Sequence, residues 1–164
     1  MSISGRVELR ALCDRYGFAY YREWGLVLDG WSRAADSGAD LVRRGVTALR
    51  TDGSLARMPY WLTLGAEVHA RAGRAEEARA TLDAALAAAR ARSELWWLPE
   101  VMRRRAAHDP APAAIRRLQA AADLASSHGS VALLDRCAAD LRELGVRPAR
   151  DADSGASAPR TVAS

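Results

Sequence analysis

Apolar residues recur every three or four positions along most of the chain, which is the spacing that amphipathic helices require. The clearest example is the stretch 58–90, where the pattern predicts two helices joined by a turn at Gly73. Glycine supplies the backbone freedom that a helix end needs. Small residues stand where the two helices would cross, at Ala66, Ala78 and Ala85. The stretch therefore predicts one closely packed helix pair.

The same periodicity continues in both directions and predicts an all-α chain of seven or eight helices. Their expected bounds are 6–16, 18–35, 39–50, 55–72, 75–92, 94–107, 110–127 and 131–144. Polar and glycine-containing segments at 36–38 and 51–54 are predicted to be breaks. Asp109 and Ser130 are expected to cap the helices that follow them, whereas Pro99 fits either a first turn or a kink.

Residues 147–164 lack apolar periodicity and are rich in Ser, Ala, Pro and Asp. This composition predicts a disordered C-terminal tail that follows one helical domain at 1–146. The N-terminal residues lack the uninterrupted apolar segment of a signal peptide. No apolar run approaches the ~18 residues of a membrane-spanning helix. We therefore expect a cytoplasmic bacterial protein that does not enter a membrane.

Equivalent positions return after 36 residues, as Gly73, Asp109 and Gly145 show. The helix-crossing positions share this spacing: Ala66, Met102 and Ala138 form one series, and Ala78, Leu82 and Ala85 are matched by Ala114, Leu118 and Ala121. A period of this length is typical of helical-repeat proteins, in which each helix pair packs against its neighbours.

The unit resembles the tetratricopeptide repeat (TPR), a helix-turn-helix family with a period near ~34 residues. Ala66, Gly73, Ala78, Leu82 and Ala85 follow the order of small residues and turn glycine in that family. The resemblance implies a TPR-like right-handed superhelix built of antiparallel helix pairs. Three and a half pairs would account for the predicted helices.

A narrower resemblance covers residues 10–146. The aromatic pair Trp96-Trp97 followed by Glu100, and Asp109-Pro110 before the next helix, are similar to the C-terminal repeat region of large bacterial signalling ATPases. Those proteins link an AAA-type ATPase to a nucleotide cyclase domain or to a LuxR-type DNA-binding domain. The resemblance implies a sensor or interaction arm that has no catalytic residues and no cofactor.

Aromatic pairs recur near the start of alternate helices and are the candidate binding residues. In a helical solenoid the first helices of the pairs line the concave face, where aromatic side chains can hold a protein or peptide partner. The candidate set is Tyr20, Tyr21, Trp24, Tyr60, Trp61, Trp96, Trp97 and Glu100. Packing between repeats is the alternative for each aromatic residue. One member of each pair should be partly exposed, because adjacent helical positions point about 100° apart.

Charge and reactive residues give no sign of nucleic-acid binding or catalysis. The 24 basic residues are all Arg, the net charge is +4, and the arginines are interspersed with Asp and Glu. The run Arg103-Arg104-Arg105 should point in three directions and form no basic patch, so we expect no direct nucleic-acid binding. His69, His108 and His128 are too dispersed to predict a metal site, and no phosphate-binding glycine loop occurs. The two cysteines, Cys13 and Cys137, are expected to be buried thiols.

These patterns predict a non-enzymatic protein-interaction module that resembles the regulatory arm of a signalling ATPase. One alternative is a fragment or split subunit of a cyclase- or ATPase-type regulator that acts only with an upstream catalytic chain. A small enzyme is a further alternative, which turnover of ATP by the purified chain would support. The exposed apolar ends of an uncapped solenoid also predict a homodimer.

Overall fold

Seven α-helices and one short 3₁₀ helix make up most of the described chain, which comprises residues 8, 11–12, 15–33 and 35–146 of a computed structural model. The α-helices are α1 (Ala19–Ser32), α2 (Ala35–Thr51), α3 (Met58–Arg71), α4 (Ala75–Ala91), α5 (Leu98–Ala106), α6 (Ala111–Ser127) and α7 (Val131–Glu143). The 3₁₀ helix, Leu95–Trp97, leads directly into α5. No strand occurs within these residues. The predicted helix at 6–16 falls largely outside the described residues, and the predicted tail at 147–164 lies entirely outside them.

Consecutive helices form hairpins that stack in two layers. Helix α1 packs against α2, α3 against α4, and α5 against α6, and short turns connect the members of each pair. The odd-numbered helices also contact one another in the order α1, α3, α5, α7, so they form one continuous layer. The all-α, repeat-like fold expected from the sequence is thereby confirmed.

The alanines that carry the 36-residue period in α4 and α6 are equivalent in burial. Ala78 and Ala85 of α4 are fully buried, and their counterparts Ala114 and Ala121 of α6 are 3% and 0% exposed. An alanine at a crossing brings two helix backbones close together, so the core is thin and continuous. The repeated small residues therefore set the spacing between the two layers.

Gly73 lies in the turn of the helical hairpin α3–α4, as the sequence predicts. Helix α3 stops at Arg71, and Gly73 has a φ of +70°, in the left-handed region. Glycine adopts this conformation without the steric cost that other residues meet. The chain can therefore reverse within three residues and start α4 at Ala75.

The predicted break at 36–38 is wrong, because α2 begins at Ala35 and runs through it. Gly38 faces Gly30 of α1, and a Cβ placed on Gly30 would lie 2.7 Å from the carbonyl oxygen of Gly38. No side chain fits between the two backbones at this point. Glycine serves here to let two helices touch, and not to interrupt one of them.

The predicted cap at Asp109 is also wrong. Pro110 occupies the N-cap position of α6, and no side chain caps this helix. The Asp109 carboxylate instead accepts hydrogen bonds from Arg105 and Arg117. Ser130 does stand at the N-cap of α7, but its hydroxyl makes no capping bond. Pro99 lies in the first turn of α5, where its missing N–H has no cost.

Candidate functional site

A groove of about 320 Å³ crosses the layer of odd-numbered helices. Every odd-numbered helix contributes to it, and its walls combine aromatic and charged side chains. The aromatic members are Trp31, Tyr60, Trp96 and Trp97, and the charged members are Glu67, Glu100, Arg104 and Arg136. We call this surface the groove. Because its lining comes from four stacked elements, it exists only when the repeats are assembled.

Four of the eight predicted binding residues lie at the groove: Tyr60, Trp96, Trp97 and Glu100. Tyr21 and Trp24 do not line it. Tyr21 is 47% exposed, and Trp24 is partly buried against the core. The side chain of Tyr20 lies outside the described residues. Binding by the four groove residues stays a prediction.

Trp61 must be removed from the candidate binding residues, because only 2% of its surface is exposed. It belongs to the main core cluster together with Met58 and Leu62 of the same helix. An indole with so little accessible surface cannot contact a partner without unfolding of its surroundings. The packing alternative therefore holds for this residue.

Five aromatic rings form a continuous ladder across α1, α3 and the start of α5. The rings are ordered Tyr21, Trp24, Trp61, Tyr60 and Trp97, and neighbouring centroids lie 5.1, 5.0, 4.9 and 4.9 Å apart. Tilted and edge-on contacts at these distances contribute about 0.5–1.5 kcal/mol each beyond the burial of area. The ladder thus joins adjacent repeats and holds the aromatic wall of the groove in place.

Trp96 is the most exposed aromatic side chain in the groove, at 66%. Its ring stacks on the imidazole of His128 with an interplanar angle of 9° and a centroid distance of 6.1 Å. Tyr60 and Trp97 are only partly exposed. The expectation that one member of each pair is at least partly exposed is confirmed for the pairs 60–61 and 96–97.

An ion-pair network forms the polar wall of the groove. Glu100 accepts hydrogen bonds from Arg103 at 2.8 and 2.9 Å and from Arg104 at 2.8 Å. Arg104 also reaches Glu67 of α3 at 2.6 Å, and Arg103 reaches Asp140 of α7 at 2.8 Å. The network therefore connects three of the helices that line the groove.

The pKa of Glu100 lies below its ordinary value. Burial by itself would raise that pKa, but the hydrogen bonds and charges of Arg103 and Arg104 outweigh burial. Hydrogen bonds to Glu100 and Asp140 raise the pKa of Arg103 despite its burial. At neutral pH Glu100 and Arg103 are therefore both charged, and each compensates the other.

The arginine run 103–105 separates as the sequence predicts. Arg103 turns toward α7, Arg104 toward α3, and Arg105 toward Asp83 of α4 at 2.8 Å. Arg105 is 6% exposed and belongs to the core between the layers. Three adjacent cations thus neutralise carboxylates on different helices, and they form no basic patch.

Sequence reasoning missed Trp31, Glu67, Arg104 and Arg136 as groove residues. Two of them contact each other: the indole Nε1 of Trp31 donates to the carboxylate of Glu67 at 2.6 Å. The step from α1 to α3 is longer than the 36-residue period, since α1 begins at Ala19 and α3 begins at Met58. The 36-residue period therefore does not indicate this contact, which depends on how the two helices pack.

Three further properties of the described chain concern a reactive thiol, a metal site and a membrane-spanning helix. Cys137 is fully buried, as predicted, and burial raises the pKa of its thiol to about 11; Cys13 lies outside the described residues. Within residues 15–33 and 35–146, no group of three His, Cys, Asp or Glu side chains is placed to hold a metal ion. No helix in the same ranges combines the length and apolar character needed to cross a bilayer.

A second cavity, of about 510 Å³, lies between α5, α6 and α7. Much of its wall consists of alanine side chains, such as Ala107, Ala111 and Ala114. Four of its five charged side chains already have ion-pair partners, namely Arg103, Arg104, Asp109 and Asp140. Among the described residues its wall contains no aromatic side chain, so it lacks the type of anchoring residue that the groove presents.

Comparison with known proteins gives similarity to an uncharacterized protein but assigns no family. No family model matches the chain, and no solved structure matches it. An uncharacterized protein of Rhizobium meliloti (strain 1021) is 30% identical over 130 residues, which cover 74% of this chain and 13% of the relative. The chain is thus similar to one short segment of a much longer protein.

Proposed function

We propose that this chain is a non-enzymatic protein-interaction module whose groove docks a peptide or helix from a partner protein. The observation that carries this proposal is the groove itself, which collects aromatic side chains from three consecutive repeats. Stacked helical repeats commonly use such a surface for binding. The fold alone would support only a scaffold, so the proposal depends on the residues of the groove.

Trp96 is the expected anchor of the interaction. A tryptophan ring offers a large apolar area, and burial of that area contributes roughly 25 cal/mol per Å². Exposed tryptophans at the centre of an interface are frequent hot spots. Stacking on His128 holds the ring in one orientation before a partner arrives, which reduces the entropy lost on binding.

The charged groups of the groove support binding rather than catalysis. A general base needs a pKa near the working pH, whereas the pKa of Glu100 is lowered by its arginine partners. Glu67 is bonded to both Trp31 and Arg104. These carboxylates are committed to holding the helices together, so the groove offers a shaped surface instead of a reactive group.

Action as the arm of a larger regulator is the second candidate. It is favoured by the relative, in which the similar segment makes up 13% of the protein, and by the resemblance to the repeat region of signalling ATPases. In that case an AAA-type ATPase or a cyclase domain would handle the nucleotide, and this chain would respond to a partner. A P-loop ATPase encoded directly upstream would support this candidate.

Affinity purification from host lysate, followed by mass spectrometry, tests the interaction. We expect wild-type protein to retain a partner that Trp96→Ala loses. Val131→Ala is the matched control, because Val131 is 68% exposed and lies outside the groove. Circular dichroism melting curves should be the same for the three proteins. Equal partner recovery by Trp96→Ala and wild type would refute docking in the groove.

A turnover assay tests the non-enzymatic character. We expect purified wild-type chain to release no phosphate from ATP above the rate of a heat-denatured sample. Release that scales with protein concentration and persists through a second purification step would contradict the proposal and support an enzyme.

A further inference from the structure

We infer that the segment docked in the groove carries a carboxylate beside an apolar side chain, and that Arg136 receives this carboxylate while Trp96 covers the apolar group. This inference rests on the proposed function and adds the chemistry of the partner. It follows from the charged side chains of the groove: Glu67, Glu100 and Arg104 already form ion pairs, whereas Arg136 pairs with no described carboxylate.

The carboxylates of the groove are not available to a partner. Glu100 is bonded to Arg103 and Arg104, and Glu67 is bonded to Arg104 and to the indole of Trp31. A cationic partner would have to break these contacts or share them. The two acidic groups therefore hold the arginines in place and leave little attraction for another cation.

Arg136 differs from the other charged groups of the groove. It lies on α7, it is exposed, and within the described residues no carboxylate comes within ion-pair distance of it. Asp140, one turn further along the same helix, is turned toward Arg103 instead. A guanidinium presents a planar fork of donors that matches a carboxylate. The groove thus contains a cation in position to bind an anionic group.

The apolar part of the partner is expected directly beside this cation. Leu133 lies one turn before Arg136 on α7, and Trp96 lines the same groove. A space of about 320 Å³ accommodates a few side chains and not a folded domain. A short motif in which Asp or Glu neighbours Trp, Phe or Leu would satisfy both features.

Aromatic walls can also attract cations, and this alternative is disfavoured here. Cation–π binding needs a site that a positive charge can enter. Arg104 already stands between Glu67 and Glu100, and Arg136 adds a second positive charge to the lining. A lysine or arginine from a partner would meet repulsion from Arg136, whose charge no carboxylate of the groove compensates.

Selection from a displayed library of short random peptides tests this inference on the full chain. Wild-type protein should enrich sequences with Asp or Glu next to a large apolar residue. Arg136→Glu should reverse the preference toward Lys or Arg at the same position. Arg116→Glu is the matched control, since Arg116 is exposed on α6 and outside the groove, and it should enrich the wild-type sequences. Affinity for a selected acidic peptide should fall about tenfold in Arg136→Ala.

The outcomes separate failure of the inference from failure of the proposed function. Enrichment of basic or uncharged sequences by wild type, or no reversal with Arg136→Glu, would overturn the inference and leave docking in the groove intact. Absence of any enrichment, or enrichment unaffected by Trp96→Ala, would overturn both. A dimer in sedimentation that Trp96→Ala dissociates, together with no enriched peptide, would assign the groove to a second copy and overturn the inference.

Discussion

Residues one period apart differ in exposure. Tyr60, Trp96 and Trp97 line the groove, whereas Trp61, one period before Trp97, lies in the core. The central repeat is covered on both sides, so Trp61 is almost completely buried, whereas Trp97 is partly exposed. Trp96 stands near the end of the array and keeps two thirds of its surface exposed, whereas Tyr60, one period earlier, is only partly exposed. Position in the stack therefore decides which aromatic residue is free to bind.

Trp61→Ala is expected to destabilise the protein by about 3–5 kcal/mol, because it leaves a large cavity in the core and removes two contacts of the aromatic ladder. Trp96→Ala should change the free energy of unfolding by no more than about 0.5 kcal/mol, as exposed substitutions usually do. Urea unfolding followed by circular dichroism measures both values. Similar losses for the two variants would contradict the assigned burial.

Acid is expected to destabilise the fold through Glu100 and Asp109. Burial tends to raise the pKa of Asp109, but hydrogen bonds and charges from Arg117 and Arg105 lower it, as the arginine partners do for Glu100. The unfolded chain therefore binds protons more readily at these two groups. Their contribution to stability is present above pH ~4 and is lost as the pH falls through the lowered pKa values.

Melting temperatures measured between pH 7 and pH 3 test this linkage. The double variant Glu100→Gln with Asp109→Asn should show a shallower decline on acidification than wild type. Glu76→Gln is the control, since the side chain of Glu76 is 79% exposed on the surface of α4. An equal decline in the double variant and wild type would contradict the assignment.

At the scale of elements, the contact between α1 and α2 depends on two glycines. A Cβ on Gly30 would meet backbone atoms of α2 at 2.7 and 2.8 Å, closer than real Cβ atoms approach. Backbone atoms cannot rotate away as a side chain would. The crossing of this hairpin is therefore set by the absence of side chains at Gly30 and Gly38.

Gly38→Ala is expected to destabilise the protein by about 1–2 kcal/mol. Alanine favours the helix over glycine by up to ~1 kcal/mol, but overpacking against the backbone of Gly30 costs about 1–3 kcal/mol. Thr47→Ala, at an exposed site of the same helix, should be neutral or slightly stabilising. Chemical denaturation of the three proteins gives the comparison. Stabilisation by Gly38→Ala would show that the helices can separate without cost.

Helix α5 fixes the arrangement of its neighbouring helices through ion pairs. Its consecutive arginines bond to α7, α3 and α4, so this short helix of nine residues contacts partners in both layers. Charged contacts of this kind add orientation more than stability. They fix the position of the groove wall relative to the core.

At the scale of the whole molecule, the buried residues form two clusters of unequal size. The main cluster of buried residues extends from α1 to α5, whereas a smaller cluster of Ala106, Ala114 and Leu118 lies toward the C-terminal end, with Leu141 of α7 packed against it. Within α7, Cys137 is buried, and the other residues are partly or fully exposed. In a stacked array each unit is stabilised by its neighbours, so the end with fewer buried contacts should open first.

Hydrogen exchange monitored by mass spectrometry is expected to show this gradient. Amides of α3 and α4 should exchange most slowly and those of α7 fastest among the described helices, because local opening has a lower free energy where fewer apolar groups are buried. Uniform protection across α3, α4 and α7 would instead indicate that the array unfolds as one cooperative unit.

Much of the fold was predictable because it follows from local periodicity. Helices at 75–92, 110–127 and 131–144 were expected within one residue of their observed bounds, and the 36-residue period identified which positions are equivalent. Four groove residues were also expected, since the aromatic pairs mark the start of the odd-numbered helices. These features depend on near neighbours in sequence, and side-chain spacing reveals them.

The tertiary structure decided the features that depend on contacts between distant segments. Gly38 was expected to break a helix, yet its contact with Gly30 leaves the helix intact. Asp109 was expected to cap a helix, yet two arginines hold its carboxylate. Trp61 is buried and Trp31 lies at the groove only because of the helices that become their neighbours. The sequence by itself determined the helices and their repeat, whereas three-dimensional packing decided which side chains remain exposed, because burial is a property of the assembled stack.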